Sequence, residues 1–438
     1  MKKKLMMLGA SALQVPAIKK AKEMGYEIIL VDYDEHAVGF PLADVKLVVS
    51  TLDQEEVYRQ ALIHKPDVVM TSTSDGPVRT AAYVNEKLGK QPDLSYADSL
   101  CATIKSHMRN RLRERQVPIP EYYAVSDFAE FEEAIGKFCG NCIVKPADNA
   151  GSRGVVLMEN GKRAGTEDKG EDKEAGDIKE LKEIYAYSKS HSRNGTVMVE
   201  EFMQGPEVSV EAMTVEGKTQ IITITDKYIT PPPYFVELAH CEPSRLDEDM
   251  QEGIRQVALQ AVQAVGLRNG PSHTEIKVTP EGPKVVELAA RLGGDFITSR
   301  LVPLSTGVDM VGASVALATG AEADIRPKWK KAAAIHFLPA KEGIIRRISV
   351  DEEIWKLKGM EDVVIDKKAG DEVHGTKSSN DRLGYIITSA DTPEEAMEAG
   401  EKAMGFLTVE WEVEDRRGLK KTGMEEQNRM GLPNGGQA

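Results

Sequence analysis

Two short stretches of the sequence combine residue types that could bind phosphate and a metal ion. In the first, residues 142–159, Lys145 precedes a loop that contains Gly151, Ser152 and Gly154. Glycines let such a loop bend freely and expose its backbone N–H groups, and Lys145 adds a point charge beside them. That combination suits a phosphate chain. The alternative is a β-hairpin with a polar loop and a lysine whose ammonium group reaches solvent.

The second stretch, residues 273–289, is typical of a hairpin with two opposed carboxylates. Glu275 and Glu287 fall opposite one another on one face, unless a bulge at Gly282 shifts the pairing by one residue. Opposed carboxylates repel, so a cation between them is favoured, and Mg²⁺ prefers such oxygens together with those of phosphate. The alternative places both glutamates on a solvated face. The other face is apolar and carries Ile276, Val278, Val286 and Leu288.

Arg291 follows the second of these glutamates and precedes Gly293 and Gly294. An arginine beside a two-acid metal site can neutralise charge on an oxyanion or an acyl phosphate. The two glycines allow the backbone to approach a ligand closely. A simple salt bridge between Arg291 and one of the two acids is the alternative.

A further pair of strand-like runs, residues 198–211, turns at Gly205 and Pro206. An apolar strand that leads into free backbone donors could bind the edge of an adenine ring. Glu207 would then lie near a ribose. The stretch is therefore a candidate nucleotide-binding element.

The first 100 residues alternate strand and helix, which predicts a parallel, doubly wound sheet. One predicted helix ends at Gly25 and another spans residues 53–64. Gly9 and Asp32 suggest a dinucleotide site, because an acid about 20 residues past a glycine turn can hold a ribose. The second and third glycines of that fingerprint are absent, so we expect neither a nicotinamide nor a flavin cofactor.

Beyond residue 101 the pattern changes to strands with fewer helices. A basic helix opens this part, and a long helix is predicted at residues 248–265. From residue 332 onward the pattern is mixed α+β. We expect a mobile surface loop at residues 159–177, which contain no aliphatic or aromatic residue besides alanine, and a frayed tail after about residue 415.

The composition of the chain argues against several classes of protein. With 438 residues, 41% of them hydrophobic, the chain should hold two or three domains. A net charge of −14 argues against a nucleic-acid partner and an anionic membrane surface. The four cysteines include one close pair, Cys139 and Cys142, but no second cluster, which argues against structural zinc and a disulfide framework. We find no signal peptide and no run of 18 apolar residues, so we expect a cytoplasmic protein without a membrane span.

Five motifs, in this order and spacing, resemble the ATP-grasp superfamily over roughly residues 1–340: Lys105 in IKSHMRNRL, then IVKPADNAGSRGV, VEEFMQGPEVSVE, HTEIKV and VVELAARLGG. Their order is similar to that of the branch with biotin carboxylase, carbamoyl-phosphate synthetase and the L-amino-acid ligases. The resemblance implies an α/β and α+β fold that begins with a Rossmann-like, parallel-sheet pre-ATP-grasp domain (1–100). An ATP-grasp domain (101–330) with a mobile lid (about 120–200), a small C-terminal α+β subdomain (331–414) and a flexible tail (415–438) would follow.

The resemblance implies which residues bind ATP. Lys105 and Lys145 would contact the α- and β-phosphates, and Lys145 would also act in catalysis. The loop over the phosphates would be formed by Gly151, Ser152 and Gly154. Glu207 would take the ribose hydroxyls. The adenine would lie against Glu200, Glu201, Phe202 and Met203, with the Glu200 carboxylate on its amino group and the Met203 backbone on its ring.

A catalytic metal is also implied by the resemblance. Glu275 and Glu287 would ligate Mg²⁺ or Mn²⁺, and Arg291 would face the γ-phosphate and the acyl phosphate. The metal motif of the family reads Glu-x-Asn before the arginine, whereas Ala289 stands here in place of the asparagine. One ligand is therefore missing, which leaves open whether one or two ions bind.

Substrate-facing residues are implied as well. His240 and His273 resemble substrate- or phosphate-facing residues of the amino-acid ligases, and His240 is a candidate catalytic residue; core positions are the alternative for both. Asp75 and Asp295 are candidates to hold an ammonium group, or else they cap helices. The remaining substrate candidates are Ser74, Thr298 and Tyr234.

The function implied by the resemblance is carboxylate activation. A phosphoryl group would pass from ATP to a substrate carboxylate, and an amine would attack the acyl phosphate to give an amide or peptide bond, ADP and phosphate. The substrates would be small carboxylates and amines, amino acids foremost, and homodimers through the N-terminal domain are common in the branch. Two alternatives stay open: a bicarbonate-activating carboxylase subunit, and a catalytically silent ATP-binding regulatory protein.

Overall fold

The computed structural model describes residues 2–90, 93–149, 153–159, 162–163, 173–231 and 234–412. Gly151 and Ser152, most of the loop predicted at residues 159–177, and the tail predicted after residue 415 lie outside these ranges. Within them the chain forms sheets of four, five, eight and three strands. The fold is mixed α/β and begins with a parallel sheet, as the sequence predicts.

A parallel sheet with helices on both faces forms the N-terminal part. Strands β1–β4 span Lys4–Leu8, Glu27–Asp32, Val45–Val48 and Val68–Met70, and helices α1–α3 span Val15–Glu23, Gln54–His64 and Asp75–Lys87. Both faces of β1 are buried: Leu5 and Met7 belong to one core cluster, and Met6 and Leu8 to another. The strand order β3-β2-β1-β4 places the crossover between β1 and β4, so the loops after these two strands border a crevice.

Two helices and an antiparallel five-stranded sheet follow. Helices α4–α7 span Tyr96–Cys101, Lys105–Glu114, Phe128–Lys137 and Lys173–Ser190, and strands β5–β9 span Tyr122–Val125, Cys142–Pro146, Val156–Glu159, Lys162–Arg163 and Val197–Glu201. The strand order is β5-β9-β6-β7-β8. Strands β6 and β7 pair antiparallel, which confirms the hairpin predicted around Lys145.

The remainder of the chain builds an eight-stranded and a three-stranded sheet. Strands β10–β15 span Glu207–Val215, Lys218–Ile229, Glu237–Glu242, Gly270–Thr279, Gly282–Ala289 and Ala332–Phe337. Strands β16–β20 span Glu342–Val350, Met360–Ile365, Glu372–His374, Gly384–Ala390 and Leu407–Trp411. Helices α8–α11 span Glu248–Val265, Val302–Thr306, Met310–Ala318 and Pro393–Met404, and a π-helical turn spans Ile297–Leu301.

The eight-stranded sheet runs in the order β14-β13-β10-β11-β12-β15-β19-β17. Three strands of the predicted C-terminal subdomain therefore extend the central sheet, while β16, β18 and β20 form a sheet of their own. No single described helix is long and apolar enough to cross a membrane; one pair bent by 116°, Ile297–Thr306 with Met310–Ala318, passes that test by length and composition alone.

The two faces of this sheet differ in chemistry. On one face, Val208 pairs with Ile276, and both pack in a core cluster with Ile254 of α8. On the other face, the strand register aligns residues that can carry charge, because alternate residues of a strand share a face: Glu207, Glu211, Lys227, His240, His273, Glu275 and Glu287.

Strand β14 contains a bulge that changes which of two valines is buried. Glu275 pairs with Glu287, as predicted, but the next pair is Ile276 with Val285, so Val286 is the extra residue. Val285 is fully buried in the core, whereas Val286 is half-buried and lines a cavity. The predicted pairing of Glu275 with Glu287 is therefore confirmed, whereas the core position predicted for Val286 was wrong.

Because of the bulge, alanine substitutions at two neighbouring valines should destabilise the protein by different amounts. Val285→Ala removes methyl groups from a closed core and should lower the free energy of unfolding by about 2 kcal/mol. Val286→Ala, the matched control, should lower it by less than half as much, since its side chain faces a cavity. Urea unfolding followed by circular dichroism measures both values, and equal losses would contradict the assigned register.

Candidate active site

A cavity of about 200 Å³ lies between the five-stranded sheet and the charged face of the eight-stranded sheet. Most of the residues predicted to bind a nucleotide line it: Lys105, Lys145, Glu200, Glu201, Phe202, Met203, Glu207, Glu275 and Glu287. Its apolar lining includes Ile143, Val155, Ile229, Phe235 and Val286. An apolar cleft with a few convergent charged groups is typical of a small-molecule site.

Glu200 is buried between two cations. Its carboxylate accepts hydrogen bonds from the Arg109 guanidinium at 2.8 and 3.0 Å and lies 2.5 Å from the Lys145 ammonium group. Burial opposes ionisation, but the two cations outweigh it and lower the pKa of Glu200 to about 2. Burial lowers the pKa of Lys145 despite Glu200, and Arg109 and Lys105 add to that effect. Arg109 and Lys145 thus share one carboxylate, so this cluster has one more cation than acid. That excess favours an anion beside Lys145.

Arg109 also holds the bulge in β14. Its guanidinium donates hydrogen bonds to the carbonyl oxygens of Val285 and Val286 at 3.0 and 2.9 Å. The sequence indicated only a basic helix here. A sequence signal did exist, because Arg109 lies one helical turn after Lys105 and so shares its face.

The opposed glutamates are each neutralised by a lysine. Glu287 lies 2.6 Å from Lys105, and Glu275 lies 2.8 Å from Lys227, which also reaches Glu207 at 2.7 Å. Burial opposes the charge on Lys227, but the carboxylates outweigh it and raise its pKa well above the usual value. Sequence analysis missed Lys227, because no local motif ties it to acids on two other strands.

The two glutamates fit a metal ion that takes most of its ligands from elsewhere. Ala289 is buried and offers no side-chain oxygen. Among the described residues, no group of three or more His, Cys, Asp and Glu side chains is arranged to hold a metal. Two carboxylates that share a cavity with a phosphate site match Mg²⁺, which is usually bound through one or two carboxylates plus phosphates and water.

Arg291 links the central sheet to the N-terminal sheet. Its Nε donates to the Asp75 carboxylate at 2.6 Å, and its guanidinium also donates to the carbonyl of Leu292. Burial opposes ionisation of Asp75, but Arg291 outweighs it and lowers its pKa. Arg291 therefore forms a salt bridge, though with Asp75 and not with Glu275 or Glu287.

The two histidines are each paired with an acid. His273 Nδ1 lies 2.6 Å from Glu211 and its Nε2 lies 3.6 Å from Glu275. Burial disfavours the imidazolium, yet Glu211 outweighs it and raises the pKa of His273 to about 9. His240 Nε2 lies 3.6 Å from Asp295. Neither histidine is simply an apolar core residue.

Asp295 is bound by an arginine from the C-terminal part of the chain. Arg382 donates two hydrogen bonds to Asp295, at 2.9 and 3.0 Å, and its guanidinium stacks 3.8 Å from the centre of the Phe337 ring. Asp295 and Phe296 both have left-handed backbone, with φ of +48° and +62°. This strained turn aims the carboxylate at His240 and Arg382, an arrangement that no short motif signals.

The remaining predicted residues lie in different settings. Thr298 is buried and donates to the carbonyl of Gly293, so it acts within the protein. Ser74 accepts a hydrogen bond from Gln14. Tyr234 is 42% exposed and lines neither this cavity nor a second cavity that adjoins it. Gly154 has φ of +80°, as a glycine-requiring turn should, while Gly151 and Ser152 lie outside the described residues.

Gly293 and Gly294 differ in the space around them, which predicts different effects of substitution. A Cβ on Gly293 would lie 2.8 Å from Glu211 Oε2 and 2.9 Å from His273 Nδ1, both held in a buried pair. Gly293→Ala should therefore cost about 1–3 kcal/mol of unfolding free energy. Gly294→Ala is the matched control, since nothing lies within 4 Å of its Cβ. Thermal unfolding compares them, and equal stability of the two variants would contradict this packing.

Glu242 predicts a pH dependence of stability. It is fully buried, and burial raises its pKa to about 8, although the hydroxyls of Thr225 and Ser305 donate to it. Between about pH 5 and 8 the folded chain therefore holds a proton on Glu242 that the unfolded chain has lost, so stability falls as pH rises.

Glu242→Gln should remove this dependence. Relative to the variant, the wild type should lose up to about 1.4 kcal/mol of unfolding free energy per pH unit in that window. Chemical unfolding at pH 5, 6, 7 and 8 measures the difference. A constant difference across the series would show that Glu242 is already ionised in the folded protein.

Comparison with known proteins finds two family models that each match part of this chain. Residues 138–299 match the ATP-grasp domain, and residues 336–412 match L-amino acid ligase C-terminal domain 2. The uncharacterized protein y4rH of Sinorhizobium fredii is 27% identical over 74% of this chain and 63% of its own length. The L-arginine-specific L-amino acid ligase of Bacillus subtilis is 23% identical over 72% of this chain and 74% of its own.

The architecture agrees with these matches. The crystal structure of the L-amino acid ligase from Bacillus licheniformis has a TM-score of 0.76 at 20% identity, over 94% of this chain and 100% of that chain. The chain thus carries an ATP-grasp domain followed by an L-amino acid ligase C-terminal domain, which confirms the resemblance. Its homologues and fold neighbours are ATP-grasp ligases, including L-amino acid ligases.

Proposed function

We propose that the protein is an ATP-dependent carboxylate–amine ligase that forms an amide or peptide bond through an acyl phosphate and releases ADP and phosphate. The proposal is carried by one observation: Lys145, which shares a single carboxylate with Arg109, lines the same cavity as the opposed carboxylates Glu275 and Glu287. The relatives whose names specify amino-acid ligases support amino acids as substrates. The domain bounds and residue roles implied by the resemblance are part of the same proposal.

In this proposal ATP occupies the cavity between the two sheets. The apolar lining, with Phe202 and Val286, would hold the adenine, and Glu207 would take the ribose. Lys145 and Lys105 would bind the phosphates: Lys145 shares its carboxylate partner Glu200 with Arg109, and Lys105 lines the same cavity. An adenine contact through the Glu200 carboxylate is less well supported, since Arg109 and Lys145 engage both of its oxygens.

Glu275 and Glu287 are the proposed ligands of Mg²⁺ or Mn²⁺. These two carboxylates would hold the ion, which would supply Lewis-acid charge neutralisation beside the phosphates. On binding, Lys227 and Lys105 would no longer be the sole partners of these acids. Lys105 would then be free to turn toward the phosphates.

The chain's residues would support two steps. A substrate carboxylate oxygen attacks the γ-phosphorus as its bond to ADP breaks, and the amine nitrogen then attacks the acyl carbon as phosphate leaves. Arg291 would stabilise the oxyanion of the second step, because its charge also acts on Glu275 and Glu287. His240, oriented by Asp295, is the proposed acceptor of the amine proton; its Nδ1 is buried and has no hydrogen-bond partner among the described residues.

The five-stranded sheet covers the cavity and would exclude water from the acyl phosphate, which hydrolyses readily. Cys101, Cys142 and Cys241 are buried and Cys139 is exposed, and all four are free thiols, which fits a reducing, cytoplasmic setting. A homodimer through the N-terminal sheet stays a prediction.

The proposal predicts ATP-dependent turnover that needs Glu287. Phosphate release from Mg-ATP is measured with pairs of the twenty amino acids, with each amino acid alone and with bicarbonate. Glu287→Gln should lower the rate at least about 100-fold, because even outer-shell partners of a metal contribute ten- to a hundredfold. Glu281→Gln, at the exposed turn of the same hairpin, is the matched control and should keep wild-type turnover.

The outcomes separate the alternatives. Release that requires an acid and an amine together identifies a ligase and its substrates. Release with bicarbonate alone would establish the carboxylase function instead. ATP binding without stimulation by any pair would contradict an amino-acid ligase and favour a regulatory protein.

A further inference from the structure

A second and larger cavity, of about 410 Å³, adjoins the nucleotide cavity. The two share Lys105, Asn149, Arg153 and Glu287. The rest of the second cavity is lined by the loops after all four strands β1–β4, by the first turn of α3, by Thr103, and by residues 148 and 193 next to the five-stranded sheet. It therefore opens at the carboxyl ends of the parallel strands, where the order of the sheet reverses, which is where open α/β sheets bind ligands.

Each acid that lines this cavity already has a hydrogen-bond donor or a cation as its partner. Asp32 accepts hydrogen bonds from the backbone N–H groups of Ala10 and Asp34. Asp75 is bound by Arg291 and Glu287 by Lys105. Asp148 accepts from Ser192 and from the backbone of residues 193 and 194. Asp75 and Glu287 are thus neutralised by cations, whereas the oxygens of Asp32 and Asp148 are engaged by neutral N–H and O–H donors.

Two arginines of the lining, in contrast, lack partners. Within the described part of the chain, Arg79 and Arg193 form no side-chain hydrogen bond or ion pair. Arg79 is half-buried on α3, one turn after Asp75, and Arg193 approaches the first turn of α3 from the other side, since its Nη1 lies 3.8 Å from a Cβ placed on Gly76. Together with Arg153 they outnumber Asp32 and Asp148, the two lining acids without a cationic partner in the described part of the chain, so the cavity has a small excess of positive charge.

The first turn of α3 adds to this positive charge. The 13-residue helix begins after Ser74, whose side chain makes no capping bond to it and instead accepts from Gln14. Its free N–H groups and its dipole face the same loops as the two arginines. The hydroxyl groups of Ser50, Thr51 and Thr73 also line the cavity.

From these features we infer that the second cavity binds an oxyanion, with Arg79 as its principal cation. The oxyanion is either the carboxylate end of a substrate, whose other end reaches Lys105 and Glu287, or the phosphate that the reaction releases. The first source deepens the proposed function, because it assigns an anionic substrate end to the N-terminal sheet. Arginine suits either source, since its fork of N–H donors matches both carboxylate and phosphate.

The test is direct binding, which does not depend on ligation. Isothermal titration with the full chain uses inorganic phosphate, the twenty amino acids and Mg-ADP as separate probes. Arg79→Gln should weaken binding of phosphate or of at least one amino acid tenfold or more. Arg79→Lys, which keeps the charge, should retain most of that binding. Mg-ADP should bind all variants equally, which shows that each has folded and kept its nucleotide cavity.

Arg115→Gln is the matched control. Arg115 is exposed at the end of α5, lines neither cavity and has no side-chain partner among the described residues. Arg79-dependent binding of amino acids indicates the substrate source, and Arg79-dependent binding of phosphate alone indicates the product source. If no probe except Mg-ADP binds the wild type, or if Arg79→Gln and Arg115→Gln bind every probe alike, the inference is wrong. Turnover without such binding would leave the ligase proposal intact.

Discussion

The pleat of the eight-stranded sheet is the constraint on which the site depends. Because side chains alternate between faces, one face can pack on α8 while the other collects acids, lysines and histidines from five strands. A rigid sheet holds these like charges close together, and they persist because each acid has a cation partner. Glu207, Glu275 and Glu287 are matched in this way by Lys227 and Lys105.

Ion pairs also connect the sheets and helices around the cavity. Arg109 joins α5 to Glu200 on the five-stranded sheet and to the bulge in β14. Arg291 joins the central sheet to the start of α3 through Asp75. A buried ion pair adds little stability compared with an apolar contact, yet it fixes orientation. These pairs therefore set how the N-terminal sheet and the five-stranded sheet face the cavity.

Local sequence patterns predicted much of this arrangement. They could not predict contacts between residues that lie far apart in the sequence. The hairpins around Lys145 and Glu275 were predictable, because alternation and turn residues lie within a few positions of each other. Lys227 and Arg382 were not, since their partners lie on other strands and the pairing follows from tertiary packing alone. The bulge at Val286 was not predicted either. It is held by Arg109, more than a hundred positions away, which donates hydrogen bonds to the carbonyls of Val285 and Val286.

The strand order has a consequence for how the chain folds during synthesis. Strand β12 has β15 as its outer neighbour, and β15 in turn needs β19, which ends at residue 390. A nascent chain that has emerged only to the end of α10 therefore exposes an open edge on β12, and such edges pair readily with other chains. Residues 332–390, which contain β15 and β19, close that edge, so this segment removes a site of aggregation as well as supplying Arg382 to the site.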